Sequence, residues 1–126
     1  MTEPDSPPSS AETSPYHMEV NHVHCLVQEL VEAVRWFESV CGVKATFTNE
    51  RMAVFSLGEF TLILDVGQSD SKVTIGFHSE NCDRDYQTVI ERGGISLEPP
   101  ADRPWGARAA YIKGPGALTI EIEQLP

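Results

Sequence analysis

The sequence consists of two similar halves, and this repeat limits the folds open to it. His22 lies 20 residues before Gly42, and Thr74 lies 20 residues before Gly94. Segment 60–65 (FTLILD) resembles segment 118–123 (LTIEIE). The repeat period is about 52 residues, which is long enough for one supersecondary unit built twice.

The first half has the pattern of a βαβββ unit. Apolar and polar residues alternate over 19–27, which is typical of a strand. Apolar residues then recur at helical spacing over 30–41, and Gly42 is a suitable C-terminal cap. Three further strands are predicted over 43–48, 52–57 and 60–66, separated by turn residues.

The second half predicts the same order after a short polar linker over 67–71. A strand over 72–78 precedes a helix that begins after Asn81, a fair N-cap, and ends at the Gly93-Gly94 pair. Three strands follow, over 95–97, 109–113 and 118–124.

A four-stranded sheet with one helix has one uncovered face. Such a face must pack against a second unit or enclose a ligand. The sequence therefore predicts an α+β protein in which two tandem βαβββ modules, 18–66 and 72–125, form curved mixed sheets around a cleft within a single domain, 18–126. Residues 1–17 are rich in Pro and Ser and almost free of apolar residues, so we expect a disordered tail there.

Charge and cysteine content narrow the function classes. Asp and Glu outnumber Lys and Arg by 19 to 9, so the net charge is −10. A field of this sign repels nucleic acid and anionic membranes, and we expect neither as a partner. Cys25, Cys41 and Cys82 follow no metal-binding spacing and are expected to be core thiols of a cytoplasmic protein, with a reactive Cys82 at the second helix start as the alternative.

Strand alternation places several functional groups on the cleft side. His22 and His24 share one face of the first strand, and Thr74 and His78 share the corresponding face of the repeat. Glu121 and Glu123 alternate in the same way on the last strand, although the polar face of an ordinary amphipathic strand would do the same.

The loop before the seventh strand carries candidate ligand contacts. Trp105 is a flat aromatic residue that can stack on a planar ligand at a cleft mouth, or simply pack. Arg103 and Arg108 flank it and can pair with anionic groups of a ligand, or remain solvated.

The order of these elements, together with NHVHCLVQEL at 21–30, PWGARAAYIKGPG at 104–116 and LTIEIEQ at 118–124, resembles the vicinal oxygen chelate superfamily. This superfamily includes glyoxalase I, bleomycin resistance proteins, fosfomycin resistance enzymes and extradiol dioxygenases. The PWGAR stretch is most similar to the bleomycin resistance branch. The resemblance implies a homodimer, because members of this length usually pair to complete their clefts.

The resemblance also implies a candidate metal site. Metal-using members place a His on the first strand, a second His on the first strand of the other half and a Glu on the last strand. His22 and Glu121 match the first and last positions, Thr74 occupies the second His position, and Asp65 lies near an optional fourth ligand. Such N and O ligands suit one divalent ion, Mn, Fe, Ni or Zn.

Three functions follow from these observations. The favoured one is a homodimer that sequesters a planar or cationic compound such as an antibiotic, with Trp105, Arg108 and Thr74 at the ligand. The alternative is a metal-dependent lyase, isomerase, dioxygenase or thiol transferase, in which His24 and His78 are candidate general bases. A third possibility is a vestigial cleft in a domain that acts through protein contacts. Thr74 at the second His position favours binding over catalysis.

Overall fold

The computed structural model describes residues 18–126, and the predicted tail at 1–17 lies outside the described residues. The elements run β1, α1, β2, β3, β4 in the first module and β5, α2, β6, β7, β8 in the second. Their bounds are β1 His22–Val27, α1 Leu30–Val40, β2 Phe47–Thr48, β3 Met52–Leu57, β4 Phe60–Val66, β5 Thr74–His78, α2 Cys82–Glu91, β6 Ile95–Asp102, β7 Arg108–Lys113 and β8 Thr119–Gln124.

Each module forms its own four-stranded mixed sheet. The strand order is β1-β4-β3-β2 in the first sheet and β5-β8-β7-β6 in the second. The first strand of each module pairs in parallel with the last, and the other pairs are antiparallel. The repeat extends to the register, since His22 is opposite Thr61 and Thr74 is opposite Thr119. The predicted fold of two βαβββ modules is confirmed.

The two helices pack to different depths. In α1, Leu30, Ala33, Phe37 and Val40 recur on one face and are all buried. In α2, Cys82 alone is buried, although the Asn81 side chain caps the helix by accepting from the Arg84 backbone nitrogen. The helix of the first module therefore contributes more to the core.

The modules meet at the ends of their helices and along the linker. An added Cβ at Gly94 would lie 3.3 Å from Val40 Cγ1, so the end of α1 sits close against the end of α2. In the linker, the Ser71 backbone nitrogen donates to the Leu26 carbonyl over 2.9 Å, and Ser71 Oγ accepts from the Leu26 nitrogen over 2.8 Å. Buried residues of both modules form one hydrophobic core.

Two strands differ most from their predicted lengths, while the bounds of β1, β5, β7 and β8 differ by one to three residues at their first residue. The strand predicted over 43–48 is reduced to β2, because the Val43 nitrogen bonds to the Phe37 carbonyl and holds this segment against α1. The strand predicted over 95–97 extends to Asp102 as β6, through Pro99 and Pro100. Proline is tolerated at a sheet edge, and the β6–β7 register shifts on either side of Glu98 as in a bulge.

Among the described residues, no helix has the length and apolar character needed to cross a membrane.

Candidate functional site

The uncovered face of the first sheet, which we call open face 1, carries an imidazole–carboxylate pair. As predicted, Cys25 on β1 is buried toward the helix, while His22 and His24 are exposed on the other side. His24 donates from Nδ1 to Asp65 Oδ2 over 2.7 Å. The two histidine rings meet edge to face, with centroids 5.4 Å apart, and His22 Nδ1 bonds to Asn21 Oδ1 over 2.8 Å. This bond fixes the orientation of the His24 ring, and Nε2 has no hydrogen-bond partner among the residues that the structure describes.

The uncovered face of the second sheet, open face 2, carries carboxylates held by aromatic donors. Tyr111 donates from its hydroxyl to Glu121 Oε2 over 2.8 Å. This hydrogen bond, with burial and the Glu121 charge, raises the pKa of Tyr111 above its ordinary value. An added Cβ at Gly76 would lie 3.1 Å from Glu121 Oε1, so the missing side chain leaves room for the carboxylate.

Two residues of the loop between β6 and β7 extend open face 2. Trp105 is 58% exposed and donates from Nε1 to Glu123 Oε2 over 3.2 Å. Arg103 lies over the Tyr111 ring at 5.2 Å from its centroid and donates to Glu98 over 2.8 Å. The loop thus adds an exposed indole and a stacked guanidinium to the carboxylates.

Sequence reasoning missed Tyr111 and Glu98 as members of this group. Strand alternation could have indicated Tyr111. It is opposite Glu121 in the β7–β8 register, so the two side chains share one face of the sheet. Glu98 is opposite Tyr111 only because of the β6 bulge, which the sequence pattern did not indicate.

Arg108 does not join this group. It precedes Ala109, which is opposite Glu123 on open face 2, so strand alternation turns Arg108 toward the helix side. There it donates to Asp83 at the start of α2 over 2.9 Å and to Asp102 on β6 over 3.1 Å. These bonds tie α2 to the sheet. A direct role of Arg108 at the ligand stays a prediction that this geometry does not support.

Strand β5 places Thr74 and His78 at the edge of the second sheet, with both side chains exposed. His78 is opposite Glu123 and shares its face. Beside β5 lies a gap of about 660 Å³, whose lining also includes Val23 and Phe60 of the first module. The walls of this gap are mainly apolar.

The predicted metal ligands are divided between the sheets. His22 and Asp65 belong to open face 1, and Glu121 belongs to open face 2. Within residues 18–126, no three His, Cys, Asp or Glu side chains lie close enough together to hold a metal ion. One protomer therefore does not assemble the predicted ligand set, and the metal site stays a prediction.

Two of the three cysteines are buried in the core, and the third is partly buried. Cys25 and Cys82 are fully buried, and Cys82 Sγ donates to the Ile122 carbonyl over 3.3 Å. Burial raises the pKa of both thiols, and it raises the pKa of the partly covered Cys41 to about 12. This environment disfavours a nucleophilic role for Cys82.

Solved structures with the same architecture identify the fold. A glyoxalase/bleomycin resistance protein/dioxygenase from Nocardioides superimposes with a TM-score of 0.75 at 20% identity, over 86% of this chain and 83% of that one. A member of the same superfamily from Sphaerobacter thermophilus DSM 20745 gives 0.73 at 21% identity, over 85% and 97%. The chain has the vicinal oxygen chelate fold. Within that fold, open faces 1 and 2 occupy equivalent positions of the two modules.

Comparison of the sequence with known proteins is less informative than comparison of the structure. The uncharacterized protein YraH of Bacillus subtilis (strain 168) is 24% identical over 127 residues, which covers 86% of this chain and 99% of YraH. No protein-family model matches the chain.

Proposed function

We propose that the protein binds a planar or cationic small molecule in a cleft that two protomers complete. The observation that carries this proposal is the composition of open face 2. An exposed indole at Trp105 lies next to the Glu123 carboxylate, and Tyr111 lies next to Glu121. Aromatic faces beside carboxylates provide stacking surface and negative charge together.

The charge of open face 2 favours a cation. This face carries three carboxylates, those of Glu98, Glu121 and Glu123. Glu98 pairs with the Arg103 side chain, which offsets its charge. Within residues 18–126, the side chains that donate to Glu121 and Glu123 are neutral, a phenol O–H and an indole N–H. A cationic ligand would be drawn to them both locally and by the net charge of −10.

The apolar parts of the open surface support a homodimer. Phe47 is 52% exposed and Leu26 is 41% exposed, and alternation and register place both on open face 1. Strands β1 and β5 are sheet edges, each with one strand partner in the described part of the chain. If β1 of one protomer lay beside β5 of a second protomer, the contact would cover the apolar gap beside β5. It would also bring open face 1 of the first protomer against open face 2 of the second.

The dimer and the binding surface are tested together by a substitution in the gap. Phe60→Glu puts a charge into the gap beside β5, while Val31→Glu puts one on the exposed outer side of α1. We expect the wild type to sediment as a dimer and to bind ethidium, a planar cation. Phe60→Glu should weaken dimerisation and ethidium binding in parallel, and Val31→Glu should change neither.

A monomeric wild type that binds ethidium would contradict the shared cleft. A dimer unaffected by Phe60→Glu would contradict the position of the interface. Sequestration of an antibiotic, as a cytoplasmic resistance protein, is part of the same proposal; it is supported by the negative surface and by three cysteines without disulfides.

The alternative, a metal-dependent lyase, isomerase, dioxygenase or thiol transferase, is favoured by one observation. Open face 1 carries His24 bonded to Asp65, with His22 against the His24 ring, and a dimer of the proposed kind would set this face near Glu121 of a second copy. Elemental analysis of protein purified without chelator distinguishes the two functions. Near-stoichiometric metal that His22→Ala and Glu121→Ala both remove would favour the enzyme over the binding protein.

A further inference from the structure

A second cavity lies where the end of α1 meets the second module. Its volume is about 250 Å³. Val40 and Cys41 of the first module form one wall, and Phe77 on β5 and Val89 on α2 form the others. Phe77 and Val89 are half-buried members of the hydrophobic core. The cavity therefore has apolar walls contributed by both modules.

Most polar groups at this cavity already have partners. Ser79, which is 4% exposed, donates its hydroxyl to Asp85. Asp85 also accepts two hydrogen bonds from Arg84, and these bonds, followed by the bond from Ser79, hold the pKa of Asp85 below its ordinary value. Thr88 donates to the Arg84 carbonyl over 3.1 Å. The carboxylate is thus paired, and neither hydroxyl has a spare donor.

Two further polar residues, His78 and Arg92, line the cavity, and His78 belongs to open face 2, where it is opposite Glu123. Arg92 is exposed at the rim of the cavity, and it has no hydrogen bond or ion pair with another side chain in the part of the chain that the structure describes. It lies against Gly42, where an added Cβ would come within 2.8 Å of its Nη1. Since Arg84 offsets the charge of Asp85, the uncompensated charge at the cavity is positive.

We propose that this cavity binds a small carboxylate that has a short apolar chain. A guanidinium presents paired N–H donors that match a carboxylate, so Arg92 supplies the polar contact. The apolar chain would lie against Val40, Phe77 and Ile122. The volume is below the roughly 300 to 1,000 Å³ typical of sites for drug-sized ligands, which limits the occupant to a small molecule. This site goes beyond the proposed function and does not depend on the dimer cleft.

The probe is hexanoate, compared with hexylammonium, which has the same chain and the opposite charge. We expect hexanoate to shift the amide NMR signals of the cavity residues saturably, and to bind about tenfold more tightly than hexylammonium. Arg92→Gln should reduce hexanoate affinity by about tenfold, because it removes the charged fork. Arg35→Gln is the matched control, since Arg35 is an exposed helical arginine that lines a different groove.

Cys41 provides an independent readout. It lines the cavity and is the one cysteine of the three that is not fully buried. Hexanoate should therefore slow its alkylation by iodoacetamide at alkaline pH in the wild type, and much less in Arg92→Gln. Equal binding of hexylammonium, shifts that map away from the cavity, or unchanged Cys41 alkylation at saturating hexanoate would each overturn the proposal.

Discussion

The two modules share a backbone plan but not the chemistry of their open faces. By strand register, His22, His24 and Leu26 correspond to Thr74, Gly76 and His78, and Ile63 and Asp65 correspond to Glu121 and Glu123. Open face 1 thus holds an imidazole–carboxylate pair, while open face 2 holds carboxylates bonded by Tyr111 and Trp105. The repeat preserves strand pairing, and substitutions on one face change what each module can bind.

The cores of the modules differ in a related way. In the first module the rings of Phe37 and Phe55 pack against each other in a tilted arrangement, with centroids 5.2 Å apart. The repeat spacing and the β7–β8 register put Val89 and Ile112 at the corresponding positions of the second module. Phe37 is fully buried, whereas Val89 is only partly buried. The first module therefore carries the larger packing contribution.

The largest expected effect is a loss of stability when a buried core side chain of the first module is truncated. Phe37→Ala should lower the free energy of unfolding by about 3 to 5 kcal/mol, because it empties a fully buried site. Val89→Ala should lower it by only about 1 kcal/mol, since less apolar surface is lost. Urea denaturation measures both. Equal losses would show that the modules contribute equally to the core.

The next effect concerns the two tryptophans. Trp105→Ala should reduce ethidium affinity by about tenfold through lost stacking, and should change the free energy of unfolding by less than about 0.5 kcal/mol, because the indole is exposed. Trp36→Phe leaves Trp105 as the sole tryptophan, so its fluorescence can report binding directly. Unchanged affinity in Trp105→Ala would remove the indole from the proposed site.

A pH titration sharpens the description of open face 2. Glu121→Ala removes both the hydrogen bond and the charge that raise the pKa of Tyr111, so this pKa should fall toward the ordinary tyrosine value of about 10. Tyrosinate absorbance detects the change, and Tyr111→Phe assigns the signal. If the pKa of Tyr111 did not change in Glu121→Ala, a group other than Glu121 would be responsible for raising it.

The sign of the linked stability effect follows from the same shift. The folded protein holds the Tyr111 proton more tightly than the unfolded chain does. The stabilisation is therefore fully present below the ordinary tyrosine pKa, and it is lost as the pH rises through the folded value.

The smallest effect is expected at the ion pair of open face 1. His24 and Asp65 are both substantially exposed, so Asp65→Asn should change the free energy of unfolding by about 0.5 kcal/mol or less. Chemical denaturation measures this change, and NMR of the His24 ring nitrogens reports whether the Nδ1 proton still has an acceptor. A loss of several kcal/mol would mean that the pair is structural.

The sequence was sufficient for the fold because the repeat and the alternating strands constrain topology strongly. Alternation also placed His22, His24 and Glu121 on the correct faces. It could not anticipate Arg108, whose partners Asp83 and Asp102 come from distant parts of the chain. Nor could it find Glu98, which reaches Tyr111 through a bulge in a proline-containing edge strand. Packing between distant elements decides such contacts, and local pattern does not encode it.

The central claim is that one cleft needs open face 1 of one protomer and open face 2 of another. Subunit complementation tests it directly, with His24→Ala disabling the first face and Trp105→Ala the second. The wild type should bind ethidium, and each variant alone should bind it weakly. When the two variants are unfolded together in urea and refolded as a mixture, about a quarter of the clefts should regain wild-type affinity, because half of the dimers are mixed and each mixed dimer has one intact cleft. A mixture that binds no better than its components, or a wild type that does not bind ethidium, would contradict the account.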